Sequence, residues 1–418
     1  MEAAGRRLAQ LQSHLTFWED ILDGPLEQRR CAAGGAAAAA AAAGAGPVVL
    51  IGGMVMDLQA HPSGIADVQR GGSVPGRVTQ SAGGVARNVA EALALLLRSG
   101  GAPASRLPLL VSAVGDDLAG RALLLHWESL GLSTACIARL PGGATPTVSV
   151  VFDLGGEVAA CVADVGLLER ELAPLLLRTA GVAAALAAAP VLMLDGNLSE
   201  AALQEACCQA AAAGVPVWFE PVSVPKSTRA ASLLSCITFA SPNGKELAAI
   251  AAAARQQQGG GCSGGNALLA KPAASHAEAA LHLMLPDIAT LLLAGVRHLV
   301  LTLGVDGAAL CTLAPGGQAV EVVHVPALPA TVVNCSGAGD CLVAGCLFGL
   351  AQGVSAAEAL CYGVAAATAA VQSQSNVPTG LDAAAARVAA NQARAKSAML
   401  SLALPEGCCG CCSCHTCC

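Results

Sequence analysis

Aromatic residues make up only 2% of this 418-residue chain and charged residues 12%, and the formal net charge is -7. A nucleic-acid surface needs a basic face for phosphates and rings for base stacking, so this composition excludes nucleic acid as a partner. Long apolar runs are missing as well. Hydrophobic residues reach 55%, yet much of that is alanine. Runs such as Ala36 to Ala43 and Ala183 to Ala189 fall short of the ~20 strongly apolar residues that a membrane span needs, which excludes a membrane partner. No G-x-x-x-x-G-K-[ST] segment occurs, which argues against a P-loop ATPase.

What is present points to small molecules. The length suits one large α/β domain with insertions, and the apolar content can cover a sheet on both faces. Nineteen cysteines occur. Twelve are scattered through alanine-rich patterns with no pairing rhythm and read as reduced core residues. The other seven crowd the segment Cys408 to Cys418, where zinc, copper(I) or acylation are conceivable, but ordered zinc sites come from ligand pairs on separate turns; a disordered tail is the simpler expectation.

Residues 1–46 hold a short amphipathic stretch, Leu8 to Leu22, and then an alanine and glycine run that cannot bury a core; they form an extension. The acids Glu19, Asp20, Asp23 and Glu27 weaken a transit-peptide reading. The folded unit spans residues 47–400 and begins with Val48 to Ile51, a buried strand ending in Gly52-Gly53. Further short apolar strands at Leu109 to Val114, Val191 to Leu194, Val215 to Phe219, Ile237 to Ala240 and His298 to Leu303 alternate with helical stretches. That alternation predicts a doubly wound, mainly parallel sheet with helices on both faces. Residues 253–275 contain a polar, Gly-rich surface insertion, and residues 401–418 the cysteine-rich tail. One pair breaks the rhythm. Thr147 to Phe152 and Glu157 to Val162, joined by Asp153-Leu154-Gly155-Gly156, read as a hairpin that is either a lid or an edge ornament.

The richest segment is Asn334-Cys335-Ser336-Gly337-Ala338-Gly339-Asp340-Cys341, followed by the apolar run Leu342 to Leu350. Gly337, Ala338 and Gly339 let backbone N–H groups approach an anion, and the dipole of the following helix favours negative charge there. Asp340, in the first turn, can take a proton from an attacking hydroxyl. Taken alone, the segment reads more readily as an N-capping Asp after a Gly turn. Asp57 follows the first strand, and a carboxylate can accept from two neighbouring hydroxyls at once. Gly83-Gly84 precede Asn88 at another helix start. Asn243 and Glu246 stand one helical turn apart, which suits either hard oxygen ligands for magnesium or a plain helix N-terminus. Thr302-Leu303-Gly304-Val305-Asp306-Gly307 closes a strand with a Gly turn.

Together these segments resemble the ribokinase-like (PfkB) family of sugar and nucleoside kinases. Gly337 to Asp340 resembles its D-T-x-G-A-G-D signature, Gly83 to Asn88 its G-G-x-x-x-N, Asn243 to Glu246 its N-x-x-E, and Thr302 to Gly307 its T-L-G-x-x-G. The resemblance implies a ribokinase-like fold with a small β-lid, and Asp340 as catalytic base beside an anion hole at Gly337, Ala338 and Gly339. It further implies a substrate site at Asp57, Gly83, Gly84 and Asn88, nucleotide contacts at Thr302, Gly304, Gly307 and Asn243, and magnesium near Asn243 and Glu246. ATP and Mg2+ are the expected cofactors. In the family the first part of the signature helps hold a monovalent cation; Asn334 stands where Asp is usual, which counts against potassium.

Asp195-Gly196-Asn197-Leu198-Ser199 and Val215 to Lys226 resemble segments of the pseudouridine kinases within that family, the plant type especially. On that resemblance Asn197 and Lys226 join the substrate site and pseudouridine is the expected acceptor. Ribose, adenosine or fructose as acceptor, and a silent binding protein on the same fold, are the alternatives. The partners expected are a nucleoside and ATP, with a homodimer through the lid allowed. Thr416-Cys417-Cys418 is not an S-K-L-like ending, so the cytoplasm is the expected compartment, with a peroxisome or another organelle as the alternative.

Overall fold

The structure, a computed structural model, describes residues 46–63, 72–155, 158–170, 172, 180–257 and 275–404. The chain opens with strands β1 (Val49–Ile51), β2 (Val55–Pro62), β3 (Gly76–Gly83), β4 (Leu109–Gly115) and β5 (Ile137–Leu140), then β6 (Thr147–Phe152) and β7 (Val158–Asp164). Next come β8 (Leu192–Asp195), β9 (Val217–Glu220), β10 (Phe239–Ala240) and β11 (His298–Thr302), alternating with helices, and then β12 (Ala308–Leu313), β13 (Ala319–Val325) and β14 (Ala398–Ala403).

Ten strands form one sheet in the order β14-β13-β12-β11-β10-β9-β8-β1-β4-β5. Pairing is parallel from β5 across to β11 and antiparallel from β11 out to β14. The parallel strands are apolar on both faces because helices cover both. Leu50, Met193, Trp218 and Phe239 point into one core, beneath helices Val85–Ser99, Ala338–Ala351, Ala356–Val371 and Ala383–Ala395. Their neighbours Val49, Ile51, Leu192, Leu194 and Phe219 point into the other, beneath helices Glu200–Ala213, Gly244–Gln257 and His276–Leu293. This is the doubly wound architecture that the strand alternation predicts.

The antiparallel edge was less visible in the sequence. Strand β14 crosses the boundary drawn at residue 400, since Leu402 is buried in the second core and the strand pairs with β13 along its length. Helix Gly244–Gln257 likewise runs into the stretch assigned to the Gly-rich insertion. The rest of that insertion (258–274), the N-terminal extension up to residue 45 and the tail from 405 lie outside the described residues, as do 156–157 in the β6–β7 turn.

The hairpin belongs to a second, four-stranded sheet, β3-β2-β6-β7. Strands β2 and β6 are parallel and the outer pairs antiparallel. The sequence reading found only its β6–β7 half. Among the described residues no helix is long and apolar enough to cross a membrane.

Candidate active site

Open α/β sheets collect ligands at the carboxyl ends of their strands, and the polar groups of this chain gather there. On one side of the cleft lie the segments after β1 and β8. Asp195, at the end of β8, is fully buried, and its carboxylate accepts from the backbone N–H of Gly53 (2.8 Å), Ala86 (3.1 Å) and Asn197 (3.0 Å). Burial raises its pKa against the pull of those donors. It thus ties the loop after β1, the start of helix Val85–Ser99 and the loop after β8 into one unit. The Asn197 side chain accepts from Lys226 Nζ at 2.5 Å. Arg229 donates to the carbonyls of Gly196, Asn197 and Leu198 at 3.0–3.3 Å, so this loop is held from outside as well.

Asp57 lies within β2 rather than in a loop after the first strand, and Asn376 Nδ2 donates to it at 3.3 Å. Burial raises its pKa, opposed by Asn376 and by the charge of Arg87. Gly83 is opposite this carboxylate: a Cβ there would sit 2.0 Å from Asp57 Oδ2, so any side chain at this position would displace the carboxylate. Asn88 Nδ2 donates to Asp340 Oδ2 at 2.6 Å, joining two helix starts that are 252 residues apart. Gly337 caps the helix of Asp340 with φ 77°, a left-handed conformation, and a Cβ on it would meet the Asn376 carbonyl oxygen at 2.0 Å. Asp340 is half-buried at the cleft floor. Desolvation pushes its pKa up to about 6; Asn88 and Arg87 pull it down, whereas Asp195 and Asp57 push it further up. Because the carboxyl still reaches the cleft, solvent tempers that rise.

On the other side is a cavity of about 190 Å³ lined by Glu220, Ser241, Asn243, Glu246, Thr302 and Gly339 among others, with Asp340 at its edge. Asn243 and Glu246 form a reciprocal helix cap: Asn243 Oδ1 accepts from the N–H of Lys245 and Glu246, and Glu246 Oε2 accepts from the N–H of Asn243, all at 3.0 Å. The helix-start reading of that motif is therefore satisfied, and the side-chain oxygen of Asn243 is already used. Thr302 bridges to Asn243 across the strand ends, while Gly304 and Gly307 form the turn that follows without lining the cavity.

Glu220 ends β9, within the Val215 to Lys226 segment. Burial holds it well above the usual carboxylate range; the Ser241 hydroxyl, which donates to it, opposes this, and Asp340 and Glu246 reinforce it. Burial also raises Glu246. Three carboxylates thus border a cavity whose lining has no lysine or arginine. Carboxylate, hydroxyl and amide oxygens set among Val85, Val222 and Val343, with no cationic side chain beside them, fit a hard divalent cation. Among the described residues no three His, Cys, Asp or Glu side chains could cage a metal on their own. The wall therefore suits an ion whose remaining ligands are phosphate and water, as magnesium prefers.

Asn376 and Arg87 are the site residues that sequence reasoning missed. Asn376 lies in a polar loop with no motif, and Arg87 was hidden inside the glycine-turn motif. Asn334 makes a local turn: its Oδ1 accepts from Ser336 N–H at 2.9 Å. A larger opening of about 440 Å³, lined by Pro47, Ser105 and Leu132 among others, lies away from these strand ends and has no charged lining.

Residues 46–383 match the pfkB family of carbohydrate kinases, and the chain belongs to that family. It is similar to a pseudouridine kinase of Arabidopsis thaliana, 35% identical, with 79% of this chain and 92% of that protein covered. The pseudouridine kinase of Escherichia coli K12 is 27% identical over 75% and 86% of the two chains. Among solved structures, a ribokinase of Arabidopsis thaliana complexed with ribose and ATP has the same fold, with a TM-score of 0.62 at 19% identity, covering 82% of this chain and 98% of that one. The chain is an ATP-dependent kinase of the sugar and nucleoside class with a ribokinase-like fold.

Proposed function

We propose that this kinase transfers the γ-phosphoryl group of ATP to the 5′-hydroxyl of pseudouridine, giving pseudouridine 5′-phosphate. The observation that carries the reading is the position of Asp340. It opens the first turn of a helix behind a glycine turn, meets Asn88 on one side and borders the carboxylate-lined cavity on the other. Phosphoryl transfer needs little covalent help from a protein; it needs positioning and charge stabilisation. In this reading Asp340 takes the hydroxyl proton as the new P–O bond forms. The backbone of Gly337, Ala338 and Gly339 faces the transferred group, and the open space where a Gly339 side chain would stand supports that approach. Asp57, Gly83, Gly84, Asn88, Asn197 and Lys226 form the nucleoside side, and Thr302, Gly304, Gly307 and Asn243 the nucleotide side. Glu246 would hold Mg2+ through the carboxylate oxygen that the cap leaves free, with Asn243 fixing it there through the cap and Glu220 beside it on the same wall. Magnesium supplies neutralisation of phosphate charge when bound. The neutral Asn334, spent on its own turn, supports activity without potassium.

The choice of pseudouridine rests on similarity to the two pseudouridine kinases, the plant one above all. Pseudouridine frees a ring N–H where uridine has only C–H. A buried acceptor facing that N–H is left unpaired by uridine, at a cost of ~1–3 kcal/mol, or about 5- to 150-fold in kcat/KM. A coupled ADP-release assay over pseudouridine, uridine, adenosine, ribose and fructose tests this. Preference for another compound overturns the substrate and leaves the kinase, whereas no ADP release with any of them favours the silent binding protein. The exposed Val78, Val158 and Val162 of the lid sheet support a homodimer through it, which sedimentation velocity checks. A cytoplasmic location, checked by fractionation or imaging, completes the reading.

A further inference from the structure

Behind the cleft a charged chain leads away from Asp340. Arg87 is 2% exposed and Glu91 6%, on the same face of helix Val85–Ser99, and they are joined as an i,i+4 ion pair. His126, from helix Leu118–Ser129, places Nε2 3.0 Å from a Glu91 carboxylate oxygen and 3.2 Å from Arg87. The second prong of the guanidinium donates to Asn88 Oδ1. The other end of that amide, Nδ2, is the group that donates to Asp340 at 2.6 Å. We propose that Arg87, anchored by Glu91 and His126, is a positioning residue for phosphoryl transfer: it fixes the direction of the Asn88 amide and through it the carboxylate of Asp340.

An amide has one accepting and one donating end; an ionised Asp340 only accepts and so favours the donating end, whereas a protonated Asp340 could face either. A flipped Asn88 would put its N–H2 against the guanidinium and its carbonyl oxygen against a carboxylate, two repulsive contacts in place of two charge-assisted bonds. Arg87 therefore holds the amide in this orientation whichever protonation state Asp340 takes. A guanidinium suits this task because its planar fork holds Glu91 and Asn88 at once, which a lysine ammonium on a flexible stem does not. The burial fits the same purpose. A buried ion pair is weak evidence for stability, because an apolar pair of equal volume often does as well. This pair instead sits one bond from the cleft and supplies a fixed dipole there. The charged and titratable groups facing Arg87 are Glu91 on its own helix, His126, Asp340 and Asp57. Its effect on Asp340 can be read as pH dependence against that set.

The proposal rests on Asp340 as the base, and the test separates the two. Arg87→Met combined with Glu91→Leu removes the pair without stranding a buried charge. Its expected outcome is a kcat at least ~10-fold lower with nucleoside KM within a few-fold. The acid limb of the kcat profile should move upward by about one pH unit, because Asp340 loses an oriented donor and a nearby cation. In an Asn88→Ala background, where no amide remains to orient, the same double substitution should change kcat less than ~2-fold further. Arg87→Lys keeps a cation beside Glu91 but loses the fork; should the double variant not fold, it carries the same loss of kcat and its disappearance in the Asn88→Ala background, with a smaller movement of the acid limb. Unchanged kcat and acid limb in a folded variant, or an undiminished loss in the Asn88→Ala background, would overturn the positioning role. Full turnover in Asp340→Asn would instead remove the base assignment itself.

Discussion

The two walls of the cleft treat charge in opposite ways. On the wall proposed for the nucleoside each carboxylate meets a donor brought from far along the chain: Asn376 for Asp57, Asn88 for Asp340, and the backbone N–H of Gly53 and Ala86 for Asp195, which also accepts from the neighbouring Asn197. On the wall proposed for the nucleotide Glu220 has a serine hydroxyl and Glu246 a helix-cap N–H, and the lining offers no cationic side chain. The first wall is pre-organised, with its dipoles fixed before any ligand arrives. The second holds negative charge in reserve, suited to an ion that arrives with the nucleotide.

The largest blow to this contrast is removal of the base. Asp340→Asn should lower kcat by at least ~10²-fold while nucleoside affinity, read by calorimetry, stays within a few-fold. Next is Gly83→Ala, whose methyl would overlap the Asp57 carboxylate. Nucleoside KM should rise ~10-fold or more with nucleotide affinity little changed, which sharpens the division between the walls. Glu246→Gln probes the other wall. The amide can still accept from the Asn243 N–H, so melting temperature should shift little. Mn2+ binding in the presence of nucleotide, followed by electron paramagnetic resonance, should weaken by about tenfold.

The smallest effect is on pH, and its sign follows from Asp340. With its native pKa raised to about 6, the base is protonated below that value, so kcat should climb as pH rises through 6 and then level off. Stability runs the other way. Between about 4 and 6 the native state binds a proton that the unfolded chain has released, and that contribution is lost as pH rises through 6. Asp340→Asn should therefore melt above the wild type at pH 7, and the difference should shrink toward pH 4.

The nucleotide wall was more legible in the sequence than the nucleoside wall, for a physical reason. Asn243, Glu246 and Thr302 follow buried apolar strands and lie in short local motifs, so strand ends and turn glycines betray them. Pairings such as Asn376 with Asp57 span 319 residues and leave no local trace. The parallel strands were legible because burial on both faces demands unbroken apolar runs. Strands β2 and β3 were not. Val55–Pro62 and Gly76–Gly83 are half-exposed lid strands that mix polar, proline and glycine residues, a pattern also suited to loops. Asp195 and Glu220 sit at strand ends as plainly as Asp340 sits at a helix start, inside segments that carry a resemblance, but a carboxylate at a strand end does not by itself reveal how deeply the fold buries it.

The buried carboxylate of Asp195 also has a mechanical meaning. Gly53 and Asn197 belong to two separate loops and Ala86 to the first turn of a helix, yet each amide hydrogen is held by one side chain. Opening any of these segments leaves that charge short of a donor where no water reaches it, so the segments cannot fluctuate one at a time. Deuterium should enter the three amides together, at one shared rate, and the floor of the nucleoside wall would behave as a single hinge-free plate beneath a four-stranded cover.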